Sequence, residues 1–260
     1  MKVPILLYHR LYDNEQNDEK YEINVDDFEK HIKYLSENGF HPVSFSDIFD
    51  EGKLEKGNIN KSVLITFDDG SLSDYSLAFP VLKKYNYNAT FFITSNWIGT
   101  ENFMTLSNLD EMLKNGMSIQ SHGMSHSFLS DLDTDDLYKE LSGSKRYLEE
   151  KLKVKVDIIS IPGGFYSGKV LNAAKKCGYK CVCTSVPGIA DLNCNGGIFQ
   201  VFDRFVITRR TSFLSFKAIV NQDYYYTIRC KLLYSMKAIF KKILGSRVYY
   251  AIWSLFFRKA

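Results

Sequence analysis

Short apolar runs recur along this chain with amphipathic segments between them, and that rhythm leaves few folds open. Val3–Tyr8, Val63–Phe67, Ala89–Ile93, Met117–Ile119, Ile158–Ile161 and Lys180–Thr184 each read as a buried strand bounded by polar or breaking residues. Between them, residues 24–38, 73–85, 106–115, 135–151 and 168–177 carry apolar positions at helical spacing. Parallel neighbours need a long crossover where antiparallel ones need only a tight turn. Strands that alternate with helices therefore imply an α/β fold, either a parallel sheet or a barrel. At 260 residues, 45% of them hydrophobic, the chain is long enough for one substantial core.

Several boundaries can be read locally. Asp26 or Asp27 can cap the first helix and Gly39 stops it. Pro80 sits inside the segment 73–85, where it removes a backbone donor, so that helix is expected to kink or to divide in two. Residues 45–49 read as a short helix and 53–61 as a polar connector. His31 lies within a helix and His41 before Pro42, and both read as packing or surface residues.

The strand Val63-Leu64-Ile65-Thr66-Phe67 ends in Asp68-Asp69-Gly70. Adjacent strand residues face opposite ways, so one acid can hold a cation while its neighbour takes a proton. Asp-Asp-Gly is also a common surface turn, and the distinction rests on partners. They appear in Ser121-His122-Gly123-Met124-Ser125-His126, where two of the five histidines lie four residues apart. If that segment is helical the two rings share a face. Imidazole together with carboxylate suits zinc or another borderline divalent ion with an open position.

Thr66-Phe67-Asp68-Asp69-Gly70 followed by Ser121-His122-Gly123-Met124-Ser125-His126 resembles the first two motifs of the polysaccharide deacetylases, the fourth family of carbohydrate esterases. The resemblance covers roughly residues 1–210 and implies a distorted (β/α) barrel of seven strands. It implies that Asp68 is the catalytic base and that Asp69, His122 and His126 bind the metal. In one branch of the family the catalytic histidine follows an N-terminal apolar strand; Leu7-Tyr8-His9 fits that arrangement, which makes His9 the general acid. Ile161-Pro162-Gly163-Gly164 resembles the third motif, with Pro162, Gly163 and Gly164 shaping a wall for substrate or oxyanion. The family's arginine two residues before that proline is Ser160 here. Removing a cation that would hold down the base's pKa calls for another orienting group, and Arg204 and Arg209 are candidates. The implied reaction is metal-assisted hydrolysis of N-acetyl groups on hexosamine glycans or on lipid-linked or nucleotide-linked precursors, with zinc, cobalt or nickel as the ion. An O-acetyl ester or small amide as substrate, or a silent carbohydrate-binding role, stays open. Tyr8, Phe67, Trp97 and Phe165 are candidates for a sugar platform.

Composition shifts near the C-terminus, which suggests a barrel over 1–222 and a separate tail over 223–260. Residues 226–260 hold eight Lys or Arg and no acid, whereas the other 225 residues are net negative by five. Two short amphipathic helices, basic and aromatic, are expected there. They suit peripheral contact with an anionic membrane, packing on the barrel, or dimerisation; no nucleic-acid motif accompanies them. The N-terminus turns polar too quickly for a signal peptide and no apolar stretch is long enough to span. A cytoplasmic enzyme, peripheral at the inner membrane face, is therefore expected. Five cysteines form no even framework and read as reduced.

Overall fold

The computed structural model describes residues 2–13, 20–45, 47, 61–164, 166–191 and 199–236. Most of the short helix expected over 45–49, nearly all of the connector 53–61, Cys194, Phe165 and the tail from residue 237 lie outside these.

Six strands run parallel in the order β1 (Lys2–Tyr8), β2 (Ser62–Phe67), β3 (Thr90–Ile93), β4 (Ser118–Ser121), β5 (Ile158–Ser160) and β6 (Cys181–Cys183). Register follows from pairs such as Tyr8 with Phe67, Phe67 with Phe91, and Ser160 with Cys183. A seventh stave, β7, comes in two pieces. Gln200–Phe202 pairs with β6, the chain steps across at Asp203-Arg204, and Phe205–Val206 pairs with β1. The sheet thereby nearly closes into the distorted barrel that the family resemblance implied. Ile189–Asp191 adds an antiparallel edge to the start of β1. The sequence reading missed β7, whose pieces are too short to show a period and are parted by two charges.

Side-chain alternation sorts the strands into two environments. Val3, Ile5, Leu64, Phe92, Ile158, Cys181, Cys183 and Phe202 fill the barrel interior. Leu6, Tyr8, Ile65, Phe67, Phe91, Ile93, Ile159 and Val182 face the helices. Full burial of such a side chain stabilises the fold by roughly 1.5–3 kcal/mol. Going toward the strand C-termini, the interior turns polar: Thr66, Ser160 and Arg204 are each 0% exposed. Cys181 and Cys183 are free thiols that pack in the lumen.

The helices begin where short polar side chains satisfy exposed N–H groups. Helix α1 (Val25–Glu37) is capped by Asn24, which accepts from Asp26 N; Asp26 and Asp27 sit in the first turn instead, where they favour the helix dipole. Pro80 does divide its helix: a wide π turn over Asp74–Ala78 hands over to α2 (Phe79–Lys84), with the proline in the first turn of α2 where its missing N–H is tolerated. Helix α3 (Leu106–Lys114) starts in a Thr105–Asn108 capping box, α4 (Thr134–Leu152) at Asp133, and α5 (Gly168–Lys176) at Ser167. Two helices complete the described chain: α6 (Phe213–Val220), which the sequence reading did not anticipate, and α7, helical over 224–236. Among the described residues no helix is long and apolar enough to cross a membrane.

Candidate active site

The site lies at the C-terminal ends of β1, β2, β4 and β5, where barrel enzymes gather their chemistry. Backbone bonds continue beyond the strands and fix the loops there. Asp68 N donates to Tyr8 O (3.1 Å), His122 N to Ile93 O (2.9 Å) and Ser95 N to Gly123 O (3.1 Å). These bonds bring His9, Asp68-Asp69 and His122 to neighbouring staves. Asp69 has φ +80° and His126 φ +62°, sparsely populated conformations for residues with a Cβ. Such geometry costs on the order of 1–3 kcal/mol per residue and persists only where surroundings enforce it. Gly70 follows at φ +87° with Ile93 packed where a Cβ would stand, at 3.1 Å.

Asp69, His122 and His126 offer ligand atoms that all lie within 4.8 Å of one another. Asp69 Oδ1 is 3.3 Å from Nε2 of both histidines. His122 donates from Nδ1 to Ser160 O at 2.8 Å, which presents the Nε2 lone pair to the centre. One carboxylate and two imidazoles converging on an opening are a fitting donor set for a divalent ion. The segment 122–126 is a loop rather than a helix. Its left-handed turn at His126, not helical periodicity, brings the rings to 5.0 Å. His126 also stacks on Trp97 at 5.1 Å.

Asp68 is buried and held differently. Arg204 donates from Nη1 to Oδ1 and from Nη2 to Oδ2, both at 2.8 Å, and the Ser160 hydroxyl donates to Oδ2, also at 2.8 Å. Arg204 is itself anchored by its Nε on Thr184 O (2.8 Å) and by Ser160 Oγ (2.7 Å). The small side chain of Ser160 thus leaves room for a guanidinium arriving from β7. Arg209 lies in the turn after β7.

Electrostatics follow from this packing. Burial alone would raise the Asp68 pKa, but Arg204 and His122 outweigh it and hold the carboxyl below its ordinary value. Burial likewise opposes ionisation of Asp69, and the two imidazoles 3.3 Å from its Oδ1 overcome it and hold its pKa below the ordinary value. Burial pushes His9 down from 6.5, partly countered by Asp69 and Asp68, which places His9 in the field of both acids. Its ring lies 5.0 Å from that of Tyr21.

Pro162–Gly164 forms a tight non-helical turn after β5, with Gly163 at φ +67° and Gly164 at φ +71°. Gly164 N is already donated to Ile161 O (2.9 Å), and proline has no N–H, which removes two of the three backbone groups expected to face a substrate oxygen. Two other expectations fail. Tyr8 and Phe67 are 0% exposed and belong to the core, stacked at 5.4 Å, so neither lines a sugar platform; Trp97 alone of the described candidates is partly exposed beside the metal ligands.

Sequence reasoning missed Glu140. From α4 it accepts Met124 N (2.8 Å), Ser125 N (3.0 Å) and Ser125 Oγ (2.6 Å), tying down the loop between the two histidines. One glutamate in a charge-rich helix carries no signal of that contact. Asp74 was also missed: it is 0% exposed, and burial together with Asp69 raises its pKa well above the ordinary value.

The site and the barrel define a metal-binding carbohydrate esterase fold, and comparison with known proteins agrees. The profile of the polysaccharide deacetylase family matches residues 55–182. The deacetylase-family protein YxkH of Bacillus subtilis (strain 168) is 35% identical over 189 residues, covering 73% of this chain and 66% of that protein. The poly-β-1,6-N-acetyl-D-glucosamine N-deacetylase of Staphylococcus aureus (strain MRSA252) is 30% identical over 177 residues, covering 62% of this chain and 60% of that protein. The chain thus spans just under two thirds of the length of these relatives. The structure of Streptococcus pyogenes deacetylase PplD in complex with acetate superposes with a TM-score of 0.76 at 28% identity, covering 85% of this chain and 98% of that one. This chain belongs to the polysaccharide deacetylase family.

Proposed function

We propose that this protein is a metal-dependent deacetylase that hydrolyses N-acetyl groups of hexosamine-containing glycans or their lipid-linked or nucleotide-linked precursors. The observation that carries the reading is the meeting of Asp69, His122 and His126 with Asp68 and His9 at one barrel mouth. The S. aureus relative's named substrate and the acetate bound to PplD support the same bond class.

Asp69 Oδ1 and the two Nε2 atoms would hold the ion, and zinc suits two imidazoles with one carboxylate. A divalent ion there supplies Lewis acidity toward the acetyl carbonyl and toward water. Asp68 takes the proton of the attacking water. A carboxylate has about four lone-pair sites, and the three donors on Asp68 leave one for that proton. Arg204 and Ser160 orient the base, in the role of the arginine missing from the third motif. His9 gives a proton to the departing amine. Gly163 is the backbone donor of its turn best suited to a substrate oxygen, and Trp97 offers an aromatic face to the sugar. Products are acetate and a free amino sugar.

The test is acetate release from N-acetylhexosamine oligomers by zinc-loaded or cobalt-loaded protein, beside Asp68→Asn and His9→Ala. Release by the wild type that falls at least about 100-fold in each variant supports both roles. Metal-loaded protein that releases nothing from N-acetyl substrates but cleaves O-acetyl esters would overturn the assigned bond.

A further inference from the structure

Helix 224–236 is docked along one face only. Tyr226 and Cys230 pack on the core, and Lys231 Nζ lies 3.6 Å from Asp203 Oδ2, beside Arg204. Just ahead of the helix, Gln222 Nε2 donates to Lys2 O (3.2 Å) at the start of β1. At its far end Tyr234 comes within electrostatic reach of Tyr166, in the loop that follows the Pro162–Gly164 turn. The helix therefore climbs the barrel wall from the base of β1 toward the rim of the site.

Its other face has no protein partner among the described residues. Tyr225, Leu232 and Met236 fall on one line at helical spacing and are 83%, 60% and 53% exposed, with Leu233 beside them at 47%. Monomeric surfaces expose single apolar residues freely, but an apolar stripe along a whole helix marks a contact. Arg229 lies on the same line, exposed. No acid occurs anywhere in residues 226–260, which hold eight Lys or Arg. Two copies of so basic a segment repel each other, whereas an anionic surface attracts it.

From this we infer that the outer face of 224–236 is a docking surface for an anionic lipid bilayer, with apolar side chains entering the headgroup boundary and Arg229 meeting lipid phosphates. Because the described part of the helix runs toward the rim, docking holds the barrel mouth beside the membrane, where a lipid-linked or membrane-proximal glycan is presented. That last step rests on the proposed deacetylase activity; the lipid contact does not.

Flotation of the full chain with phosphatidylglycerol-containing or pure phosphatidylcholine vesicles tests it, beside Leu232→Glu/Met236→Glu. Binding to the anionic vesicles alone is expected, weakened by salt and weakened at least about tenfold in the double variant. The variant's melting temperature and its acetate release from soluble oligomers stay unchanged. Absence of binding to anionic vesicles overturns the inference, and so does binding that the variant leaves intact. A concentration-dependent dimer that the variant abolishes, without lipid binding, would assign the face to a second copy. Acetate release is read without lipid, so failure of the activity and failure of the docking surface are separate results.

Discussion

Two histidines of this protein are almost equally withdrawn from solvent, and they behave in opposite ways. His122 is 2% exposed and His31 is 4% exposed. Burial depresses both, but His122 stands beside Asp68 and Asp69, which outweigh burial and raise its pKa above 6.5. His31 lies on α1 behind β1, stacked 4.0 Å from Phe216 and 3.2 Å from the Tyr8 hydroxyl, and burial takes it down to about 4. One environment sets two carboxylates against an imidazole; the other offers only Asp27, opposed by Lys30, and burial prevails. Burial therefore does not mark a functional histidine here; the carboxylates around it do.

The largest expected difference between the two regions is in chemistry. Asp69→Asn or His122→Ala should lower kcat/KM for acetate release by at least about 1,000-fold, with loss of bound metal read by elemental analysis. His31→Gln should leave metal content unchanged and activity within about threefold. A His31 variant that lost metal would break the comparison outright.

Next in size is the buried ion pair. Arg204→Met strips Asp68 of its cation while leaving the carboxylate 3% exposed. Removing one partner of such a pair costs about 3–5 kcal/mol. The loss should appear in urea unfolding at pH 7. Asp68→Asn/Arg204→Met should recover part of it, because no lone charge then remains buried. If the double variant is no more stable than Arg204→Met, the pair is not what holds that end of the barrel.

His31 sets a smaller effect with its own pH window. Its pKa is about 4 folded and near 6.5 unfolded, so the unfolded chain binds more protons between those values. The associated stability is complete above pH 6.5 and falls as the pH drops toward 4, by up to about 3 kcal/mol. Asp68 and Asp69 have lowered folded values, so their contribution is lost only as the pH falls below the ordinary carboxylate range. Urea midpoints across pH 4–7 should show a slope that His31→Gln makes shallower, the remainder belonging to His9, which burial also lowers, and to His122, whose raised pKa acts in the opposite sense. A slope unchanged in that variant would place the acid sensitivity elsewhere.

Much of this site could be read from the sequence because its chemistry is compact. Asp68-Asp69 are adjacent, His122 and His126 are close, and His9 ends an apolar run, so residue type and strand position nominated them and the family resemblance supplied their expected roles. The parts that escaped join distant segments. Arg204 could be nominated as a substitute for the missing arginine, but its 2.8 Å bonds to Asp68 span 136 positions of sequence. Glu140 reaches the histidine loop from a charge-rich helix whose Asp135, Asp136 and Glu150 face solvent, and β7 is too short to carry a period. The aromatic platform misread the same rule of alternation that located the acids: Tyr8 and Phe67 end strands at the active face, yet their side chains point outward under the helices.

The smallest effect expected here concerns Glu140, and it bears on how the two histidine environments are kept in place. His31 is fixed by the rings of Tyr8, Phe213 and Phe216 packed around it, whereas His126 stacks on Trp97 from a loop and is itself the left-handed residue there. Glu140 supplies what packing does not, accepting two backbone N–H groups and one hydroxyl across that loop. Glu140→Gln keeps the size but halves the acceptor capacity and removes the charge. Groups that orient metal ligands typically contribute 10–100-fold to affinity, and one bond removed from the ligands should fall near the lower end, about tenfold. Competition with a chelator would measure it, with saturating metal restoring most of kcat. Unchanged metal affinity would mean that the left-handed turn holds itself; a loss that saturating metal cannot restore would mean that Glu140 positions more than the ligands.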